Sequence, residues 1–160
     1  MSHRYVSFRL GGELWGLDIL QVRETMETPT FVSVPRAQSH IAGLMNLRGQ
    51  VVCVMDLRAR VYGKRAKNAQ NVLILKGFNE LPDPAMCEGA ENLENVGDET
   101  IGILVDSVSD VVAIEEDDIE LAANATDNSD VETRFVRGVA QVNEELMMLV
   151  SLNELVNVAA

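Results

Sequence analysis

Apolar and polar residues alternate through Tyr5-Val-Ser-Phe-Arg-Leu10, the period of a half-buried β-strand, and Gly11-Gly12 then supplies the positive φ angles of a tight hairpin turn. A return strand is predicted over Leu14 to Ile19. Further alternating or continuous apolar runs occupy Ile41 to Leu47, Val51 to Leu57, Val72 to Leu75, Ile101 to Val105, Val108 to Ile114, Phe135 to Val142 and Leu146 to Leu152. Most are four to eight residues long and end at Gly, Asn, Asp or Glu turns, which is the pattern of a small barrel or sandwich. Two short helices follow directly on strands: Asp56 to Gly63 opens on a capping carboxylate and closes on Gly, and Ser151 to Val158 opens on a capping hydroxyl. The chain is therefore mostly β.

The pattern also repeats. Gly16 is followed by Val22 and Glu24 at offsets six and eight, and Gly102 by Val108 and Asp110 at the same offsets. Gly43 is followed by Leu47, Val51 and Leu57 at four, eight and fourteen, and Gly138 by Val142, Leu146 and Leu152 likewise. These spacings predict a duplicated β unit, hence two similar lobes with a groove between them, a common place for binding. Between the halves, residues 77–100 carry a Pro-Asp-Pro turn and seven acids without sustained periodicity, and they read as a long mobile loop. Asn124 to Glu132 reads as a second acidic loop.

Charge narrows the function. The net charge is −12, which argues against a nucleic-acid partner, because such binding draws on basic side chains that displace counterions. The asymmetry is larger than the sum: residues 1–76 carry 11 Lys or Arg against 5 acids, and residues 77–160 carry 2 against 20. Aromatics are only 4% of the chain, so the core must be built from Val, Leu, Ile, Met and Ala. No run approaches the roughly 18 apolar residues of a membrane span, and Met1 to Phe8 lacks a signal-peptide apolar core, so a cytoplasmic location without direct membrane insertion is expected. Cys53 and Cys87 lie in unrelated contexts, and with His3 and His40 they form no metal-ligand spacing. Neither a cofactor nor catalysis is expected, since nothing assembles a nucleophile, a base and an oxyanion donor.

Three segments then carry a family resemblance: GLDILQVRE (Gly16 to Glu24), VPRAQSHIAGLMNLRGQVVCVMDLR (Val34 to Arg58) and GILVDSVSDV (Gly102 to Val111). Together and in this order they resemble the CheW family of chemotaxis coupling proteins, with Asn46-Leu-Arg-Gly49 the most specific block. The resemblance implies two five-stranded SH3-like β-barrel subdomains with a few short helices. Subdomain 1 is expected over about residues 14–70 plus the C-terminal helix region 146–160, and subdomain 2 over about 71–145, with the strand at 4–10 left unassigned between them.

The resemblance implies an adaptor role, not an enzyme. The partners implied are the cytoplasmic hairpin tip of a chemoreceptor, held in the groove between subdomains, and the regulatory domain of the CheA histidine kinase, held on the surface of subdomain 1. A family adaptor serving a twitching or other non-flagellar pathway is the alternative. Carried over position by position, the receptor-facing set is Val22, Gly43, Val72, Gly102, Val108 and Val111. Alternation alone would bury about half of such valines, and the spacing of three between Val108 and Val111 puts them on opposite faces of a regular strand, so a buried side chain or a bulge is expected there. Glu24 and Arg48 match a charge pair typical of the family, and Arg48, before Gly49 at a turn, is placed to hold a carboxylate bidentately. The loop at 77–100 is longer and more acidic than the family pattern requires.

Overall fold

The computed structural model describes residues 2–65, 67–86, 93–94, 97, 99–121 and 133–156. Two sheets account for the strands. The first contains β1 (Ser2–Leu10), β2 (Glu13–Asp18), β8 (Ser107–Glu115), the two-residue β9 (Glu120–Leu121), β10 (Val136–Val142) and β11 (Glu145–Val150), in the order β8-β1-β2-β11-β10-β9. The second contains β3 (Val22–Glu27), β4 (Ile41–Leu47), β5 (Gln50–Asp56), β6 (Asn71–Leu75) and β7 (Ile101–Val105), in the order β3-β6-β7-β5-β4. Each sheet thus has five principal strands, and two short helices, α1 (Leu57–Tyr62) and α2 (Leu152–Val156), follow β5 and β11.

Every predicted apolar run lies on a strand within three residues of its expected limits. The Gly11-Gly12 turn has φ of 56° and 88°, the left-handed values that only Gly adopts without cost. Apart from the two-residue β9, β3 is the strand that hydrophobic patterning misses: Val22-Arg-Glu-Thr-Met-Glu27 is polar because it is an edge strand, paired on one side only.

The duplication is real at the level of hydrogen-bond register. Gly43 pairs with Val54 across β4 and β5, and Gly138 pairs with Leu149 across β10 and β11, each 95 positions later, with a register shift just before the glycine in both copies. Val54 in turn lies beside Gly102 in a parallel pairing, as Leu149 lies beside Gly16. Even an isolated bond repeats: the Asp56 amide donates to His40 O (2.7 Å) and the Ser151 amide to Phe135 O (2.8 Å), again 95 positions apart.

Sheet membership corrects the expected cut between residues 70 and 71. The chain crosses from the first sheet to the second after Asp18 and back again after Val105, so β2 sits with β11, and β6 and β7 sit with β3 and β5. The strand at 4–10 belongs to the first sheet, between β8 and β2. Each repeat lends its first two strands to the sheet that the other repeat completes. The second sheet is thus the continuous stretch Val22–Val105, set between β2 and β8 of the first.

Packing follows the exchange. The second sheet encloses Met45, Leu47, Val52, Val54, Val72, Ile74 and Leu104, and the first encloses Tyr5, Leu14, Ile114, Ala140, Met147 and Leu149. A third and larger cluster lies between the sheets, where Phe8, Leu10, Trp15 and Phe135 from one side meet Leu57, Leu73, Leu75 and Ile103 from the other, all fully buried. Asp56 caps α1 by accepting from the Ala59 amide at 3.1 Å, and Gly63 at φ 75° closes it. That fixes Leu57 and Val61 in the shared cluster, while Trp15 Nε1 donates to the Tyr62 hydroxyl at 3.1 Å and so ties α1 to the first sheet.

The acidic segment over 77–100 is not wholly a free loop. Gln21, fully buried, accepts from the Glu94 amide (2.5 Å) and donates to its carbonyl (3.1 Å), while the Glu94 carboxylate accepts from the Leu152 amide at 2.5 Å at the start of α2. Burial pushes the Glu94 carboxyl up, with the α2 amide working against it. Cys87 and the predicted loop over Asn124 to Glu132 lie outside the described residues.

The Glu94 contacts generate a test. Loss of a capping side chain costs about 1 kcal/mol, so Glu94→Ala is expected to lower the urea-unfolding free energy by about that amount or more, whereas the exposed Glu99→Ala leaves it unchanged. Equal midpoints for the two variants would mean that the segment does not brace α2.

Candidate partner-binding site

The six positions carried over as receptor-facing do not form one surface. Val22 opens β3 opposite Leu75 and is buried in the shared cluster, and Val72 is fully buried inside the second lobe. Gly43 and Gly102 are buried as well, and neither has room for a side chain. A Cβ on Gly43, at φ 150°, would lie 2.7 Å from Val32 O, and one on Gly102 would lie 2.9 Å from Val72 Cγ1. These four therefore offer no side chain to a partner in this structure. They shape the sheet, as strand alternation predicts for inward positions.

Val108 and Val111 differ from them and from each other. Val108, opposite Phe8, is half-buried against the shared cluster, whereas Val111, opposite Val6, is 51% exposed. A register shift between these two pairings is the irregularity that the spacing of three requires. Val111 is thus the one member of the set that presents a large apolar surface.

Glu24 and Arg48 meet as the sequence suggests. Arg48 and Gly49 form the tight turn between β4 and β5 with φ of 50° and 88°, and Asn46 Oδ1 accepts from the Gly49 amide at 2.8 Å. The turn aims the guanidinium at β3: Arg48 Nη1 donates to Glu24 Oε1 (3.1 Å) and Nη2 to Glu24 Oε2 (2.5 Å), a two-pronged contact. Because β3 and β4 are the two edges of the second sheet, the pair spans its open seam. The Arg48 hydrogen bond and charge hold the Glu24 carboxyl below its ordinary range, so the pair is ionised at neutral pH.

Three further contacts lie beside this pair, and sequence reasoning missed them. Arg23 donates to both Glu80 oxygens (2.7 and 2.5 Å) and to Thr100 Oγ1 (3.2 Å), which also accepts from Gln50 Nε2 at 2.6 Å. Arg23 adjoins Glu24 and was visible; Glu80 comes from the acidic segment 57 positions away, and no local pattern predicts that contact. At the matching positions of the first lobe stand Asp110 and Asn143, where Asn143 keeps the left-handed turn at φ 49° without a guanidinium. Among the described residues, the first lobe's two-pronged ion pair is instead Arg9–Glu145, between β1 and β11.

The arrangement is suited to recognition. Among the described residues no cluster of His, Cys, Asp and Glu could hold a metal ion, and burial pushes the Cys53 thiol up, away from the reactive thiolate. No helix among the described residues is long and apolar enough to cross a membrane. A rigid β framework that displays paired charges at a seam and an apolar side chain on an edge strand is a binding scaffold.

Comparison with known proteins gives that scaffold its family. The CheW-like domain model matches residues 4–160, nearly the whole chain. The chain is 25% identical over 150 residues to the chemotaxis protein CheW of Treponema pallidum, covering 94% of this chain and 79% of that protein. To the chemotaxis protein CheW of Rhizobium meliloti it is 28% identical over 148 residues, covering 92% and 83%. Among solved structures, the scaffolding protein CheW from Thermoanaerobacter tengcongensis superposes with a TM-score of 0.77 at 28% identity, over 99% of this chain and 95% of that one. The chain belongs to the CheW family. It is a chemotaxis scaffolding protein, and CheW scaffolding proteins are adaptors, not enzymes.

The exposed seam predicts what Arg48 does not do. Arg48 is exposed and Glu24 half-buried at the sheet edge, and surface pairs contribute little to folding. Arg48→Ala is therefore expected to leave the circular dichroism spectrum and the urea midpoint within error of the parent. A clear fall in the midpoint would make the pair a structural clamp.

Proposed function

We propose that this protein couples transmembrane chemoreceptors to the CheA histidine kinase in the cytoplasm. The receptor's helical hairpin tip docks between the lobes at the edge formed by β8, with Val111 as its apolar contact, and the kinase's regulatory domain docks on the lobe built around β3, β4 and β5. The observation that carries this reading is the Glu24–Arg48 pair. The Arg48-Gly49 turn aims it across the seam with Arg48 exposed, and a surface pair of this kind adds little to folding, so its value lies in what it presents. The exposed Val111 supports the reading because a helical hairpin packs on small branched side chains at a flat β surface.

The acidic balance of the chain fits a protein partner better than a nucleic acid, and the two lobes offer two faces for two partners at once. Val22, Gly43, Val72 and Gly102 enter the proposal indirectly: they hold the sheet that positions the seam.

Val111→Arg is expected to remove most receptor binding in a co-precipitation assay and leave kinase binding intact, because the exposed side chain can be replaced without unfolding. In a complementation assay for chemotaxis, Arg48→Ala loses signalling while folded, and Arg48→Glu loses more because it adds repulsion against Glu24. Full signalling by Arg48→Glu would contradict the role given to the seam, and unchanged receptor binding by Val111→Arg would contradict the docking edge.

A further inference from the structure

The pairing of β3 with β6 is interrupted at Arg23. Val22 lies opposite Leu75 and Glu24 opposite Ile74, so Arg23 is an extra residue in β3, a β-bulge of the kind that re-aims a side chain. The first lobe repeats the irregularity: β8 has an extra residue between Val108 and Val111 where it pairs with β1, and Ser109 stands at the position that matches Arg23. Both copies keep the bulge, and only the second places a guanidinium in it.

The guanidinium is held from behind by a buried hydroxyl. Thr100 Oγ1 accepts from Arg23 Nη2 at 3.2 Å and from Gln50 Nε2 at 2.6 Å, and Thr100 is buried. On the other side Arg23 Nε donates to Glu80 Oε2 (2.7 Å) and Nη2 to Glu80 Oε1 (2.5 Å), a two-pronged grip on a carboxylate. The Glu80 hydrogen bond raises the Arg23 pKa, with the Glu24 charge adding to it and the Arg48 charge opposing it, so Arg23 lies within reach of both members of the seam pair. Charge alternates along the row Arg48, Glu24, Arg23, Glu80.

Glu80 is also positioned by its own surroundings. Its amide donates to Gly77 O at 2.9 Å, and its Oε1 accepts from the Gly77 amide at 3.1 Å, so a single turn at the start of the acidic segment sets the carboxylate in place. Neither Arg23 nor Glu80 depends on the other for its position, and the contact between them is separable. With the Arg23 side chain 23% and the Glu80 side chain 37% exposed, the pair adds little to folding. Its effect is to fill a carboxylate site that the bulge, Thr100 and Gln50 have already built.

We propose that Arg23 is a carboxylate-binding site of the kinase-facing lobe and that Glu80 is its intrachain occupant, displaced by a carboxylate of the kinase when that partner docks. The inference rests on the kinase reading of this lobe given above and adds to it a competitor carried by the chain itself. Glu80 comes from the acidic segment, 57 positions from Arg23, and the segment is longer than the family pattern requires. The competitor lowers the affinity of the resting protein without touching the Glu24–Arg48 pair.

Calorimetric titration of the full chain with purified CheA kinase, at constant ionic strength, tests the assignment. Glu80→Gln is expected to bind about threefold tighter than the parent, because a surface pair of modest strength no longer has to be broken. Adding Arg23→Gln to Glu80→Gln should abolish that gain. Glu99→Gln removes the same charge from an exposed position in the same segment and should leave the affinity at the parent value. Equal or weaker binding by Glu80→Gln, an equal gain from Glu99→Gln, or a gain that survives Arg23→Gln would each overturn the proposal and leave the kinase reading in place. A parent chain that does not bind the kinase would overturn that reading, and this inference with it.

Discussion

The apolar cluster shared by the two sheets is the constraint on which everything else depends. Each sheet buries one face on its own small core, yet neither closes without strands from the other repeat, and the faces left over meet around Trp15, Leu57, Ile103 and Phe135. Fully burying side chains of this size contributes about 1.5–3 kcal/mol each as an upper estimate. Because the second sheet is inserted in the chain between β2 and β8 of the first, with crossings at Asp18 to Val22 and at Val105 to Ser107, both chain connections and the shared cluster tie one lobe to the other. The lobes therefore hold their relative position as one cooperative unit, which is the mechanical property an adaptor with two partners needs.

On that frame, the two lobes have diverged in charge. The second lobe closes its seam with Glu24–Arg48 and Arg23–Glu80, whereas the first keeps the same turn at Asn143 and has Asp110 at the position that matches Glu24. The β-sheet register is identical in the two copies, so the difference comes from side chains alone. An ion pair at a solvated seam adds little to stability but fixes orientation and sign, and two like surfaces of unlike charge allow one small protein to tell two partners apart.

Much of the fold was legible in the sequence because strand alternation and turn glycines act locally. The β1–β2 hairpin, the Asp56-capped helix α1 and the repeat spacing from Gly16, Gly43, Gly102 and Gly138 all survive in the structure, whereas the first amide of α2 is held by Glu94 and not by the Ser151 hydroxyl. The exchange of strands was not legible, because period and turn chemistry identify strands but not their neighbours. Nor was the anchoring of the acidic segment by Glu94, which depends on Gln21 and Leu152 from distant elements. The site divides in the same way. Arg48 beside Gly49 announced a turn that presents a guanidinium, and Glu24 was its natural partner, whereas the inward burial of Val22, Gly43, Val72 and Gly102 is decided by sheet packing that a motif match does not report.

The central claim is that one rigid two-lobed scaffold engages receptor and kinase together. Sedimentation of receptor-bearing membranes with purified CheA kinase, in the presence and absence of this protein, tests it most directly. The account predicts that the kinase pellets with the membranes only when this protein is present, and that all three components are found in the pellet. Kinase that pellets equally well without it, or membranes that retain this protein while the kinase stays in the supernatant, would contradict the account.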